Sequence, residues 1–165
     1  MLKKKKNNKG FTLVELLVVI AIIGILAVVA VPALFKNIEK GKVADLEADI
    51  SAIRSAALSV YADTSVMPVG NIDGTASEAD DDLIDAELEG LSDPFNATYK
   101  TQLSTDSNQN SLLLKIVLTK GISKDGVQKL INDLGDKYVD DKGDAITSAA
   151  EISAEGNIYI KLMEK

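Results

Sequence analysis

The chain has 165 residues, of which 25 are acidic and 18 basic, and it contains neither cysteine nor histidine. That length holds one modest domain, and the missing residue types exclude disulfides, a thiol nucleophile and the commonest general base and metal ligand. Five basic residues precede Gly10 and every acidic one follows it, so the chain from Phe11 onward carries 13 basic and 25 acidic residues, a net charge of −12 that argues against binding nucleic acid by electrostatics.

Residues 1–10 form a short basic leader holding Lys3, Lys4, Lys5, Lys6 and Lys9. Residues 16–35 follow without a single charge, long enough as a helix to cross a bilayer at about 1.5 Å per residue. Five lysines before this span against Lys36, Lys40 and Lys42 after it favour an N-terminus on the cytoplasmic side. Near the start of the span lies Glu15, the only carboxylate among residues 11–38. On insertion scales such a group costs about 2–4 kcal/mol, so its presence calls for a reason. Thr12-Leu13-Val14-Glu15 fits a capping box, which is one such reason. An ordinary secretory signal, cut at Val31-Pro32-Ala33, is an alternative reading of the whole stretch.

Gly24 and Pro32 interrupt the apolar pattern. Pro32 deprives the Val28 carbonyl of its helical donor, so both residues weaken the helix locally. Beyond Pro32 the pattern changes to a single face: Val43, Leu46, Ile50, Ile53, Ala57, Val60 and Tyr61 recur in steps of three and four, with Lys40, Lys42, Asp45, Glu47, Asp49 and Arg54 on other faces. This predicts one helix from Phe11 to about Ala62, roughly 78 Å long, stopped by Thr64-Ser65, Pro68 and Gly70.

Residues 64–111 are polar and turn-rich. Ile84, Leu88 and Leu91 predict a short helix over 79–89 with Gly90 as its C-cap, its acidic run reading as a solvated face. Alternation predicts strands over 112–119, with Leu112, Leu114, Ile116 and Leu118 inward, and over 157–163, with Ile158, Ile160 and Leu162 inward. Residues 99–103 and 138–139 are weaker strand candidates. Between them Val127, Leu130, Ile131 and Leu134 predict a helix started near Ser123 and stopped by Gly135. Asp136, Asp140, Asp141 and Asp144 flank Lys142-Gly143; their spacing fits no EF-hand, and Asp-Lys-Gly predicts a turn. The expected fold class is α+β: a long N-terminal helix, half transmembrane and half amphipathic, packed against a small antiparallel β-sheet head. No catalytic spacing, phosphate-cradling loop, cofactor site or metal site is apparent, and an enzyme is not expected.

The junction Lys9-Gly10-Phe11-Thr12-Leu13-Val14-Glu15, running into a long apolar segment with Gly24 and Pro32, resembles the N-terminus of type IV pilins and of their relatives, the type II secretion pseudopilins. The resemblance is close over residues 3–35 and one of layout beyond residue 62. The segment Asp93-Pro94-Phe95-Asn96 loosely resembles one found in major pseudopilins, and Asn96-Ala97-Thr98 is a glycosylation-type triplet. The resemblance implies a leader (1–10), a transmembrane and polymerisation helix (11–35) and a globular head (36–165). It implies cleavage between Gly10 and Phe11 by a prepilin peptidase, N-methylation of Phe11, and storage in the membrane before assembly. Pilus assembly machinery would then build a homo-oligomeric helical filament in which Glu15 meets the Phe11 amine of a neighbour and the helix between Gly24 and Pro32 becomes extended. The implied function is a structural subunit of a surface pilus for adhesion, motility or aggregation. Together with the lack of cysteine, the resemblance points to a pilin of the Gram-positive, clostridial type. A pseudopilin of a short secretion filament, or a single-span anchored binding domain that never polymerises, are the other readings of the same N-terminus.

Overall fold

The structure is a computed structural model that describes residues 10–72, 84, 88, 90–92, 94–105, 111–119, 121–146 and 157–164. It divides into two compact units, Met1–Ile38 and Glu39–Lys165. One helix, α1 (Leu13–Thr64), runs through the boundary.

Within the first unit α1 continues without interruption past Gly24 and Pro32. All described residues of this unit are exposed, and nothing lies within 4 Å of where a Cβ on Gly24 would be. It contains the apolar part of the only helix among the described residues long and apolar enough to cross a membrane, with a mean hydropathy of 3.1 over its best 18-residue window.

In the second unit α1 turns amphipathic. Val43, Leu46, Ile50, Ile53, Ala57 and Val60 are buried, as their spacing predicts, Tyr61 is half-buried, and Ala56 joins them. Asp49 corrects the reading: it belongs to this buried face and not to the solvated ones.

Val43, Leu46, Ile50, Ile53, Ala56 and Ala57 pack in one core cluster with the inner face of a sheet that has five strands among the described residues. Its strands are β1 (Gly70–Ile72), β2 (Ala97–Leu103), β3 (Ser111–Leu118), β4 (Tyr138–Val139) and β5 (Asn157–Glu164). They lie in the order β1-β2-β3-β5-β4, and every pairing is antiparallel. The fold class is therefore the expected α+β one. β1 is a correction, since three residues are too few for alternation to register; the strand exists because Gly70, Asn71 and Ile72 pair with Thr101, Lys100 and Tyr99. The register between β3 and β5 shifts between Leu112 and Leu113, where β5 carries one extra residue, Leu162, which still points into the core.

Leu113 is a third correction. It alternates away from the core cluster, the side expected to meet water, yet it is fully buried. Near this end of the sheet the amide of Thr105 donates to the carbonyl of Asp141 at 3.0 Å, tying the β2–β3 connection to the turn after β4. That turn is itself held by Asp140, whose Oδ1 accepts from the amides of Lys142 and Asp144, both at 2.9 Å, while Gly143 takes a φ of +96°. The Asp-Lys-Gly turn is formed as its sequence predicts.

The second helix, α2 (Lys124–Leu134), is bounded as read. Ser123 Oγ accepts from the Gly126 amide at its start, and Gly135, at a φ of +58°, donates to the Ile131 carbonyl at its end. Val127, Leu130 and Ile131 enter the core, while Lys129 bonds Glu47 of α1 at 2.9 Å and the Ser123 amide donates to Glu39 Oε1 at 2.7 Å. The helix expected over 79–89 lies outside the described residues except for Ile84, which is buried in the core, and Leu88, which packs against it. Gly90 adopts a φ of +68°, a conformation that suits glycine.

Tyr138 is buried on the inner face, and among the described residues its hydroxyl has no hydrogen-bond partner. Burial pushes the phenol up to about 12, whereas in an unfolded chain it titrates near 10, roughly. Below pH ~10 both states hold the proton; between ~10 and ~12 the unfolded state releases it first, so stability falls as pH rises, by up to about 2–3 kcal/mol. Tyr138→Phe is expected to remove this share of the alkaline loss and to cost less than about 0.5 kcal/mol at pH 7, because no made bond is lost. Urea melts of both proteins at pH 7 and pH 11.5 check it.

The N-terminal helix as a candidate assembly site

The start of α1 is a closed hydrogen-bonded ring. The Glu15 amide donates to Thr12 Oγ1 at 3.2 Å, and Glu15 Oε2 accepts from both the Thr12 amide and the Thr12 hydroxyl at 2.8 Å. The first helical bond, from the Leu16 amide to the Thr12 carbonyl at 3.2 Å, follows directly. This is the capping box the sequence predicts, made because a threonine and a glutamate three residues apart can satisfy each other's backbone donors. The carboxylate has a local partner in the single subunit, and it is solvent-exposed.

Gly10 precedes the ring as exposed, irregular backbone, and Phe11 is 86% exposed. From Leu13 to Phe35 the helix offers a continuous apolar surface with one carboxylate at its beginning, and Gly24 and Pro32 are exposed within it. Such a surface cannot remain in water: each large side chain left out costs about 1.5–3 kcal/mol relative to burial. A bilayer or a bundle of like helices can cover it. Such a surface suits insertion into a bilayer or packing among apolar neighbours, and it carries a single ionisable group, Glu15.

The sequence reading missed a polar site in the head. Asp49 Oδ2 accepts from the Tyr99 hydroxyl at 2.9 Å and Oδ1 from the Ser92 amide at 3.0 Å, joining α1 to β2 and to the segment before it. A signal existed, for Asp49 lies three residues after Leu46 and four before Ile53, within the apolar stripe. Phe95 is buried in the same region, and Lys42 Nζ stands 5.6 Å from its ring centroid.

An apolar helix long enough to cross a membrane, in a chain that also holds a compact α+β unit, defines a class of protein: one anchored in a membrane by its N-terminal helix. Comparison with known proteins agrees. Residues 5–31 match the prokaryotic N-terminal methylation motif, and residues 37–112 match the family described as PilW, C-terminal. The chain is similar to the type IV major alpha-pilin of Moraxella bovis, 33% identical over 133 residues that cover 73% of this chain and 82% of the relative. It is similar to the type II secretion system core protein G of Pseudomonas aeruginosa, 41% identical over 58 residues covering 35% of this chain and 40% of the relative. Its structure resembles that of the major type IV pilin PilA1 from Clostridium difficile, with a TM-score of 0.57 and 25% identity, covering 78% of this chain and 98% of that one. The chain belongs to the type IV pilin family. It is a structural subunit and not an enzyme, anchored by an apolar helix and built into a filament of like subunits.

Proposed function

We propose that this chain is made as a prepilin, held in the membrane by residues 16–35 with its lysine-rich end on the cytoplasmic side, and finally displayed as a pilus on the cell surface. A prepilin peptidase cuts between Gly10 and Phe11 and methylates the new amine, and pilus assembly machinery then moves subunits from the membrane into the filament. Glu15 of the incoming subunit meets the Phe11 amine of its neighbour. Gly24 and Pro32, which lack strong helical support of their own, let the helix between them extend as the subunits pack.

The observation that carries this reading is the exposed apolar half of α1, headed by the exposed Gly10–Phe11 junction and a lone carboxylate. Protein sheared from the cell surface is expected to begin at Phe11 and to carry one additional methyl group by mass spectrometry. A start at Leu34, behind the Val31-Pro32-Ala33 site, would establish an ordinary secreted protein. Similarity to a core protein of type II secretion supports a second reading, a pseudopilin of a short export filament. Electron microscopy separates the two, since long antibody-labelled fibres belong to a pilus.

A further inference from the structure

Beside the end of β5 the head holds a cavity of about 370 Å³. It follows from the shortness of β4, whose two residues pair with Ile160 and Tyr159. Beyond them, toward Glu164, no strand among the described residues lies on that side of β5. The chain before β4 is wound into a 3-10 turn (Gly135–Lys137), and the chain after it folds back so that Val139 bridges Ala145. The space left between these turns and residues 161–164 is also lined by Arg54 of α1.

Three cations and two carboxylates line this space among the described residues: Arg54, Lys137 and Lys161 against Asp136 and Glu164. Lys161 and Glu164 lie 3.8 Å apart and answer each other. Among the described residues the side chains of Arg54, Lys137 and Asp136 make no hydrogen bond or ion pair. Arg54 matters most. It is half-buried, its guanidinium keeps its proton at any physiological pH, and its N–H donors meet no acceptor among the described residues. A charge partly withdrawn from water without a partner is costly, and an anion entering the cavity would relieve it.

We infer that this cavity binds a sugar acid, a molecule with one carboxylate and several hydroxyls. The carboxylate meets Arg54 as a forked pair, with Lys137 as the second cation. The three cations and two carboxylates leave one positive charge over, which suits a single negative charge better than the two that a phosphate approaches. Ionised Asp136 can only accept, so the group that reaches it must donate. A hydroxyl does this without charge, whereas an ammonium would add a fourth cation beside Arg54, Lys137 and Lys161. Ala145 and Met163 offer an apolar wall to the C–H face of a sugar ring, and the volume is that of a small-molecule pocket, more than a bare carboxylate needs. The cavity lies wholly within the head, so binding there needs no filament and the inference stands apart from the pilus reading.

The test titrates the full-length chain, held in detergent, with glucuronate, glucose, acetate, inorganic phosphate and glycylglycine, and reads binding by ligand-observed NMR. Glucuronate is expected to bind saturably and each of the others about tenfold more weakly or worse. Arg54→Gln is expected to lower glucuronate affinity about tenfold or more, and Arg54→Lys about threefold or more, because lysine keeps the charge and loses the fork. Lys137→Gln, at an exposed position, is expected to lower it about threefold. Protease resistance of the head reports that each variant is folded, and if Arg54→Gln is not, Lys137→Gln decides. No saturable binding of glucuronate overturns the inference, as does an affinity that a folded Arg54→Gln chain leaves unchanged. Acetate or phosphate binding as tightly as glucuronate overturns it and leaves a site for any anion. Equal binding of glucose shows that the carboxylate is not read, and equal binding of glycylglycine assigns the cavity to a peptide; either result overturns it too.

Discussion

Cells making Glu15→Ala are expected to insert and cleave the subunit normally and yet to produce few or no filaments. In the proposed pathway, cleavage after Gly10 would create a charged amine on Phe11 at the head of a helix that becomes surrounded by apolar neighbours. An unpaired charge in such a setting is worth about 3–5 kcal/mol of destabilisation per contact, and a filament repeats the contact at every subunit. Glu15 is the only carboxylate among residues 11–38 and therefore the one able to offset it. A slip of one helical turn would leave both charges unpaired, so the proposed contact would also set the axial register. In the free subunit that carboxylate is held by Thr12, and losing this cap alone costs about 0.5–2 kcal/mol, once per chain. Glu15→Gln separates the two roles, because glutamine completes a capping box but brings no charge. Normal filaments from Glu15→Gln, counted and measured by electron microscopy, would sink the pairing; loss in both variants supports it.

Leu46→Ala and Ile53→Ala are each expected to cost about 2–5 kcal/mol of head stability, a large part of the roughly 5–15 kcal/mol a domain of this kind commands. Both side chains are fully buried on α1 against the inner face of the sheet, where a cavity cannot be filled by small shifts. Leu17→Ala and Ile25→Ala, on the exposed half of the same helix, are expected to leave head stability within about 0.5 kcal/mol. Leu46→Ala and Ile53→Ala are measured by urea denaturation of a chain beginning at Lys36, which is expected to be soluble and monomeric because its helix face is covered by its own sheet; Leu17→Ala and Ile25→Ala are measured the same way in the full-length chain held in detergent. Losses below about 0.5 kcal/mol at both Leu46 and Ile53 would show that this face is not the core.

Local chemistry was written in the sequence because it acts between neighbours along the chain. The Thr12–Glu15 box, the buried stripe of α1, the caps of α2 at Ser123 and Gly135 and the turn at Asp140 each depend on residues within a few positions of one another, and each is formed as its spacing predicts. The long strands β3 and β5 follow from alternation for the same reason. The apolar half of α1 was legible as well, since a run of twenty uncharged, apolar residues makes a helix long enough to cross a bilayer. Pairing across the chain was another matter. Whether Gly70-Asn71-Ile72 is a strand depends on β2, some thirty residues later. Asp49 is buried because Ser92 and Tyr99, 43 and 50 residues away, bring donors to it, and a polar group in a helical stripe carries no sign of which donors will come. Leu113 obeys the alternation of β3 and is buried nonetheless, and Lys100 meets Lys115 only through a register that two separate strands must share. Spacing along a helix or strand fixes which side a residue takes; only the tertiary structure decides what waits for it there.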